Sequence, residues 1–215
     1  ADPRDLLRRG PGVSTRAIPA DEAARVCQSP PSAEDAPRFT YQLARALEAH
    51  GRHELAAARY KEAAEAGYPA AMYIWSMILQ NGYGGVQKDA AQGAAWMQKA
   101  ADAGEPYAMA RLGWHIWRSS GRGTPERERA GRLIRTSANA GCARGAYYMS
   151  WLLDIGGAGK PAIEWYVRSM RLAHEQDQVE LLPFLVERLQ FLVNRVPRDD
   201  VAEAVVQGRR EQSPR

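Results

Sequence analysis

The residues of this sequence that invite chemistry are few: four histidines, two cysteines, a GGAGK stretch at 156–160 and the carboxylate pair Glu126/Glu128. GGAGK looks like the end of a phosphate-binding loop. That loop, G-x4-G-K-[ST], needs glycine where Asp154 stands and Ser or Thr where Pro161 stands, and it should follow a strand rather than a helix. His50 and His53 flank Gly51 at a turn, so they share no helical face, and no third zinc ligand is near. His115 and His174 stand alone. Cys27 and Cys142 lie far apart, match no C-x-x-C spacing and read as packed thiols. Glu126 and Glu128 sit among arginines and read as solvated helix surface. No Ser/His/Asp or Cys/His set shares a plausible pocket. The expectation is no catalysis, no cofactor and no metal.

What remains is recognition chemistry. Six tryptophans, nine tyrosines and 25 arginines among the 29 basic residues supply the types enriched at binding hot spots, because they offer large contact area at modest entropic cost. Eight of those arginines (Arg111, Arg118, Arg122, Arg127, Arg129, Arg132, Arg135 and Arg144) fall within 111–144 against two acids, so that segment carries +6 while the whole chain carries +4. A basic segment favours an acidic partner and speeds its encounter. The alternative is a solvated surface in an arginine-biased chain, and the bias alone does not argue for nucleic acid.

Such residues need elements to hold them. At 215 residues, 45% hydrophobic and 25% charged, the chain is large enough for a real core, as one domain or one repeat array. Its longest apolar stretch, AAMYIWSMIL at 70–79, is too short to span a bilayer. The N-terminus carries charges and prolines where the apolar core of a secretory signal would lie. The chain begins at Ala1 rather than methionine, so the compartment stays open on that ground.

Residues 1–37 are proline-rich, with one short helical stretch at about 20–27, and read as an irregular leader. From residue 38 the text repeats. KEAAEAGYPAAM at 61–72 returns as QKAADAGEPYAM at 98–109 and, more worn, as RTSANAGCARGA at 135–146. The Ala-Gly pairs 66/67, 103/104 and 140/141 stand 37 residues apart, and a fixed period of that length marks a solenoid of helix pairs. Each glycine suits the left-handed residue after a helix, and Pro69 and Pro106 stop continuation. Thr124-Pro125-Glu126 supplies an N-cap hydroxyl, a proline at N1 and an acid in the first turn. Ala56-Tyr60-Ala63, Gly93-Met97-Ala100 and Ala130-Ile134-Ser137 each put a large residue between two small ones on one helix face. Beyond 176, Leu182, Phe184, Leu185, Leu189 and Val193 lie at helical spacing after Pro183 and predict a capping helix over 177–196. Residues 197–215 read as a tail with a helical turn or two at PRDDVAEAVV.

The unit RYKEAAEAGYPAAMYIW…NGYGGVQKDAAQGAAWMQKAADAG resembles a Sel1-like repeat, the bacterial-rich relative of the tetratricopeptide repeat. The first unit is shorter between its helices and resembles an ordinary tetratricopeptide unit. The fourth, with IGGAGKPAIEWYVRSM, is about five residues short and lacks the closing Ala-Gly. The resemblance covers 38–176, about four units, and implies an all-α, right-handed α-α superhelix that acts as an interaction scaffold for a protein or peptide. The leader is similar to segments preceding such arrays in bacterial envelope proteins, some with a caspase-like peptidase domain upstream. It implies an extracytoplasmic setting, and a second reading in which the chain is the regulatory or docking part of such a protein.

In such an array the first helix of each pair lines the concave face. With Met72, Trp75 and Leu79 packed inward, Tyr73, Met77 and Gln80 face the groove. The period carries them to Ala110, Trp114 and Trp117, then to Tyr147, Trp151 and Asp154, and back to Tyr41, Arg45 and Glu48 in the shorter first unit. Tyr73, Trp114, Trp117, Tyr147 and Trp151 are the expected apolar anchors, with Arg45, Arg118 and Arg144 as polar contacts. Trp75, Trp96 and Trp165 fall on interior positions. For Trp114, Trp117 and Trp151 the competing reading is packing between units or cover by the C-terminal helix. The partner expected is a protein or peptide, acidic by the charge argument; nucleic-acid binding through the arginine-rich unit ranks below it.

Overall fold

The computed structural model describes residue 25, residues 32–176, residue 178 and residues 181–210; Cys27 and most of the expected leader helix lie outside the described residues. Among the described residues the chain forms ten helices and no strand: α1 Ala36–Ala49, α2 His53–Glu65, α3 Pro69–Asn81, α4 Ala90–Asp102, α5 Pro106–Ser119, α6 Pro125–Asn139, α7 Ala143–Ile155, α8 Gly159–Glu175, α9 Leu182–Val193 and α10 Arg198–Arg209. They divide into two compact units, Ala1–Ala108 and Met109–Arg215.

The helix ends fall where the sequence period places them. α2, α4 and α6 each close on alanine followed by a left-handed glycine: Gly67 at φ 89°, Gly104 at φ 85° and Gly141 at φ 79°. The glycine N–H donates two residues short of the helix end, Gly67 to Ala64 O at 3.0 Å, and the next residue reaches one further back, Tyr68 to Ala63 O at 3.0 Å. The paired bonds recur at Gly104/Glu105 and Gly141/Cys142 and satisfy carbonyls that the helix leaves open. GGAGK makes the same turn, with Gly157 donating to Asp154 O and Ala158 to Leu153 O, so its glycine ends α7 instead of cradling a phosphate. Starts are capped as well: the Asp89 carboxylate accepts from Gln92 N at 2.8 Å, and the Thr124 hydroxyl from Arg127 N at 3.3 Å.

In the first unit α1 packs on α2, α2 on α3, and α3 on α4. The seam is lined with alanine, and Tyr60 on α2 and Met97 on α4 fill the space between small neighbours. Close approach is enforced at Gly93, where a Cβ would lie 2.9 Å from the Ser76 carbonyl oxygen. Trp75 and Leu79 are buried as expected, with Met72 packed partly buried against them.

In the second unit Ile134 on α6 and Tyr166 on α8 hold the corresponding large positions, flanked by Ala130 and Ser137 and by Ala162 and Ser169. All six are fully buried, and each large one is worth roughly 1.5–3 kcal/mol of transfer free energy. Cys142 is a buried thiol whose Sγ accepts from Gly145 N at 3.4 Å. α9 packs on α8 through Leu185 and Leu192, with Leu189 beside them, whereas Phe184 is 62% exposed and Val193 is also exposed. The expected stripe was therefore rotated: α9 buries the 185/189/192 edge, and two of its large apolar side chains, Phe184 and Phe191, face solvent.

The tail reading also needs correction. Residues 198–209 form a twelve-residue helix that packs against α8. Asp199 and Asp200 suit its first turn, and Ala204 and Gly208 bring the two backbones together. A Cβ at Gly208 would sit 2.5 Å from Glu164 O. Val201 and Val205 pack partly buried beside them, so the helix shows a short apolar stripe at 201, 204, 205 and 208 that the tail reading passed over.

Candidate functional site

The face expected to bind divides by unit. In the first, Tyr41 is 3% exposed and packs against Tyr60 and Tyr68, with ring centroids 5.8 and 5.2 Å away. Arg45 is 1% exposed, with Nη1 donating to Gln42 Oε1 at 3.1 Å. Both belong to the interior of the unit: the face of α1 that carries Tyr41 packs against Tyr60 of α2 and against Tyr68 just before α3. The carboxylate of Glu48 accepts from the Tyr60 hydroxyl at 2.7 Å. Tyr73, Met77 and Gln80 on α3 are half-buried, and Tyr73 stacks on Tyr107 at 5.9 Å.

The second unit gathers its aromatics. On α5, Trp114 and Trp117 lie one turn apart with rings nearly parallel, centroids 5.5 Å apart. Tyr148 of α7 stacks parallel to Trp114 at 4.7 Å, and Trp151 approaches it at 5.9 Å with tilted rings. Tyr147 meets Tyr148 at 5.4 Å and Tyr166 edge-on at 5.9 Å. Parallel offset and edge-to-face pairs are the favoured arrangements for ring quadrupoles, each worth about 0.5–1.5 kcal/mol beyond burial. On its other side α5 lies close to α6, because it carries no side chain at Gly113, where a Cβ would lie 2.9 Å from Ile134 Cγ1.

Beside this stack runs an open groove of about 560 Å³, lined by Arg111, Trp114, His115, Arg118, Ser119, Arg144 and Tyr148. Arg111, Trp114/His115 and Arg118 form one stripe of α5 at spacings of three, four and seven. Arg118 and His115 are exposed, and Trp114, Arg111 and Arg144 are half-buried. No carboxylate lines the groove, and neither Arg111 nor Arg118 has an acidic partner among the described residues.

Other arginines of the basic segment are committed elsewhere. Arg127 lies over the Trp117 ring, 3.8 Å from its centroid, and Nη1 donates to Ser120 O at 2.8 Å and Trp117 O at 3.3 Å. It closes the C-terminal carbonyls of α5, where a cation is favoured. Arg132 pairs with Glu128 across one helical turn.

Trp151 and Asp154 are taken by the chain's own C-terminal helix. The Arg188 guanidinium of α9 lies 4.0 Å over the Trp151 ring and donates to Asp154 Oδ2, while Arg195 Nη1 stands 3.6 Å from Asp154 Oδ1. The Asp154 side chain is 7% exposed. For Trp151, cover by the C-terminal helix is the reading that matches the structure, and Asp154 is a clamp on α9 rather than a free groove acid.

Thus Trp114, Arg118 and Arg144 come together in one groove, with Trp117 on its flank. Arg111, His115 and Tyr148 complete it, and the sequence reading missed all three. The arginine stripe at 111 and 118 was the available signal. For Tyr148 no signal separated it from Tyr147, since adjacent residues on a helix differ only in register. Among the described residues no group of three His, Cys, Asp or Glu side chains is placed to hold a metal ion. No helix there is long and apolar enough to cross a membrane. His53 is engaged by the Tyr83 hydroxyl, with rings 5.0 Å apart.

No family model and no curated protein matches this sequence. Among solved structures, the chain is similar to a Sel1 repeat protein from Oxalobacter formigenes, at 20% identity and TM-score 0.54, over 71% of this chain and 69% of that one. It is also similar to a protective antigen present in uropathogenic Escherichia coli strains displaying an SLR fold, at 17% identity and TM-score 0.52. That alignment covers 81% of this chain, which spans 45% of the antigen's length. At these identities the likeness is one of fold: the chain is an all-α helical repeat solenoid with the Sel1-like repeat fold.

Proposed function

From that fold, we propose that the chain is a scaffold that binds a protein or peptide segment, with no catalysis of its own. One observation carries this reading. The second unit sets the half-buried rings of Trp114 and Trp117, stacked with the buried Tyr148, beside an open groove instead of enclosing all of them in its alanine-lined core. Clustered Trp, Tyr and Arg beside a solvent-open concavity is the composition of a binding hot spot. The groove side chains sit on packed helices within one unit, so little ordering entropy is lost on docking. We assign the chain to an extracytoplasmic bacterial setting on the resemblance of its leader alone, and fractionation of the native cells tests that assignment.

The groove reading is tested by photo-crosslinking. A benzoylphenylalanine at position 118 should capture a protein in extracts of the native source, while one at the exposed position 128 on α6 should not. Equal capture from both positions would mean that the α5 face has no special affinity.

A further inference from the structure

Resting on that reading, we infer that the occupant of the Trp114 groove is an acidic peptide segment. Its carboxylates are held by Arg111 and Arg118, and an adjoining apolar side chain lies against Trp114 and Tyr148.

Charge complementarity carries the first half. No acid lines the groove, and Arg111 and Arg118, which do, hold no acidic partner among the described residues, so the site presents two guanidinium cations that no carboxylate of its own neutralises. Arg111 and Arg118 lie seven residues apart on one face of α5, two helical turns, or about 10 Å of rise. That separation suits two carboxylates on one extended segment, spaced about three residues apart at about 3.3 Å each. A guanidinium grips a carboxylate through two parallel N–H bonds, so each arginine also fixes orientation.

Ring geometry carries the second half, and it also separates a peptide from a nucleic acid. Single-stranded nucleic acid is held by stacking bases on free aromatic faces along a basic track. Here Trp114 already stacks against Trp117 and Tyr148, and Arg127 covers a face of Trp117. What the rings leave to the groove is edges, and an aromatic edge is the positive part of its quadrupole. Edges accept an apolar side chain or a carboxylate without the insertion that a base requires. The basic character is also concentrated in this segment: residues 111–144 carry +6, while the rest of the chain carries −2.

A random peptide library displayed on phage, selected against the full chain, tests the inference. Enriched sequences should carry Asp or Glu next to an apolar residue. Synthetic copies should lose roughly tenfold in affinity for an R111E/R118E variant and clearly less for R111K/R118K, which keeps the charge but not the paired N–H fork. If the double reversal disturbs the circular dichroism spectrum, R118E alone serves, since Arg118 is exposed. Enrichment of neutral or basic peptides that still need the Trp114 stack overturns the acidic occupant and leaves the scaffold reading standing. Failure to enrich any sequence overturns both. Oligothymidylate that binds more tightly than the selected peptides, and displaces them, also overturns the inference in favour of nucleic acid.

Discussion

The two units use one building plan and finish it differently. In both, a large residue sits between small ones on the second helix of each pair, and the first helix meets it with a small residue: Ala44, Ser76, Gly113 and Ser150. Tyr60, Met97, Ile134 and Tyr166 are interchangeable in role though not in kind, because the plan needs volume at that point rather than a particular shape. On the other face of the first helices the units part. The first turns Tyr41 and Arg45 inward, while the second leaves Trp114, Arg111 and Arg118 beside open space. What recurs builds the core, and what differs is free to recognise.

The sharpest way to break this comparison is to attack the shared core position in each unit. Tyr60→Ala and Ile134→Ala each remove a fully enclosed side chain, and each should cost about 3 kcal/mol or more, read from denaturant midpoints with hydrogen exchange to locate the loss. A cost under about 1 kcal/mol at either position would mean that the alanine-lined seam collapses around the gap and that volume there is not what holds the pair.

Next come the arginines that each unit keeps for itself. Arg45→Gln and Arg188→Ala should destabilise by roughly 1–3 kcal/mol, since each leaves a buried polar partner short of a bond. The Arg188 figure belongs near the lower end because its side chain is 20% exposed and partly screened. A double-mutant cycle with Asp154→Asn isolates the clamp. Additive effects would show that Arg188 acts through its contacts with Trp151 and Phe191 and not through the ion pair.

Gly67→Ala, Gly104→Ala and Gly141→Ala probe the joint that both units share. Nothing lies within 4 Å of a Cβ built at any of them, so the cost is conformational and should be about 1 kcal/mol in each case. Three unequal costs would show that the joints differ in strain despite their common geometry.

That joint is also where the sequence was most legible. A left-handed residue after a helix admits few side chains, so the requirement leaves a glycine at the same place in the first three repeats, and the eye finds it at 67, 104 and 141. The small-large-small seam was legible for the same reason. Groove membership obeys no such rule. Tyr147 and Tyr148 differ by one step of helix register, and the packing that decides between them, Tyr148 against Trp114, joins residues 34 apart. The cover over Trp151 comes from Arg188, outside the periodic text altogether. Helix α10 docks through Ala204 and Gly208 with Val201 and Val205 beside them, a stripe of small and medium residues fainter than the leucine pattern of α9.

The smallest effect expected on stability separates core from site most cleanly. Arg111→Gln and Arg118→Gln should each move the unfolding free energy by less than about 0.5 kcal/mol, because neither guanidinium holds an acidic partner among the described residues. The same substitutions should weaken an acidic peptide measurably by fluorescence anisotropy, and the loss should shrink as salt rises, since exposed charge pairs are screened over about 8–10 Å at moderate ionic strength. Arg45→Gln supplies the contrast within one molecule: the same chemical change, made where the first unit has enclosed its arginine, should destabilise the fold and leave the peptide's affinity alone. If Arg118→Gln instead destabilises as Arg45→Gln does, the α5 stripe is part of the second unit's structure, and the difference between the units is one of packing rather than of recognition.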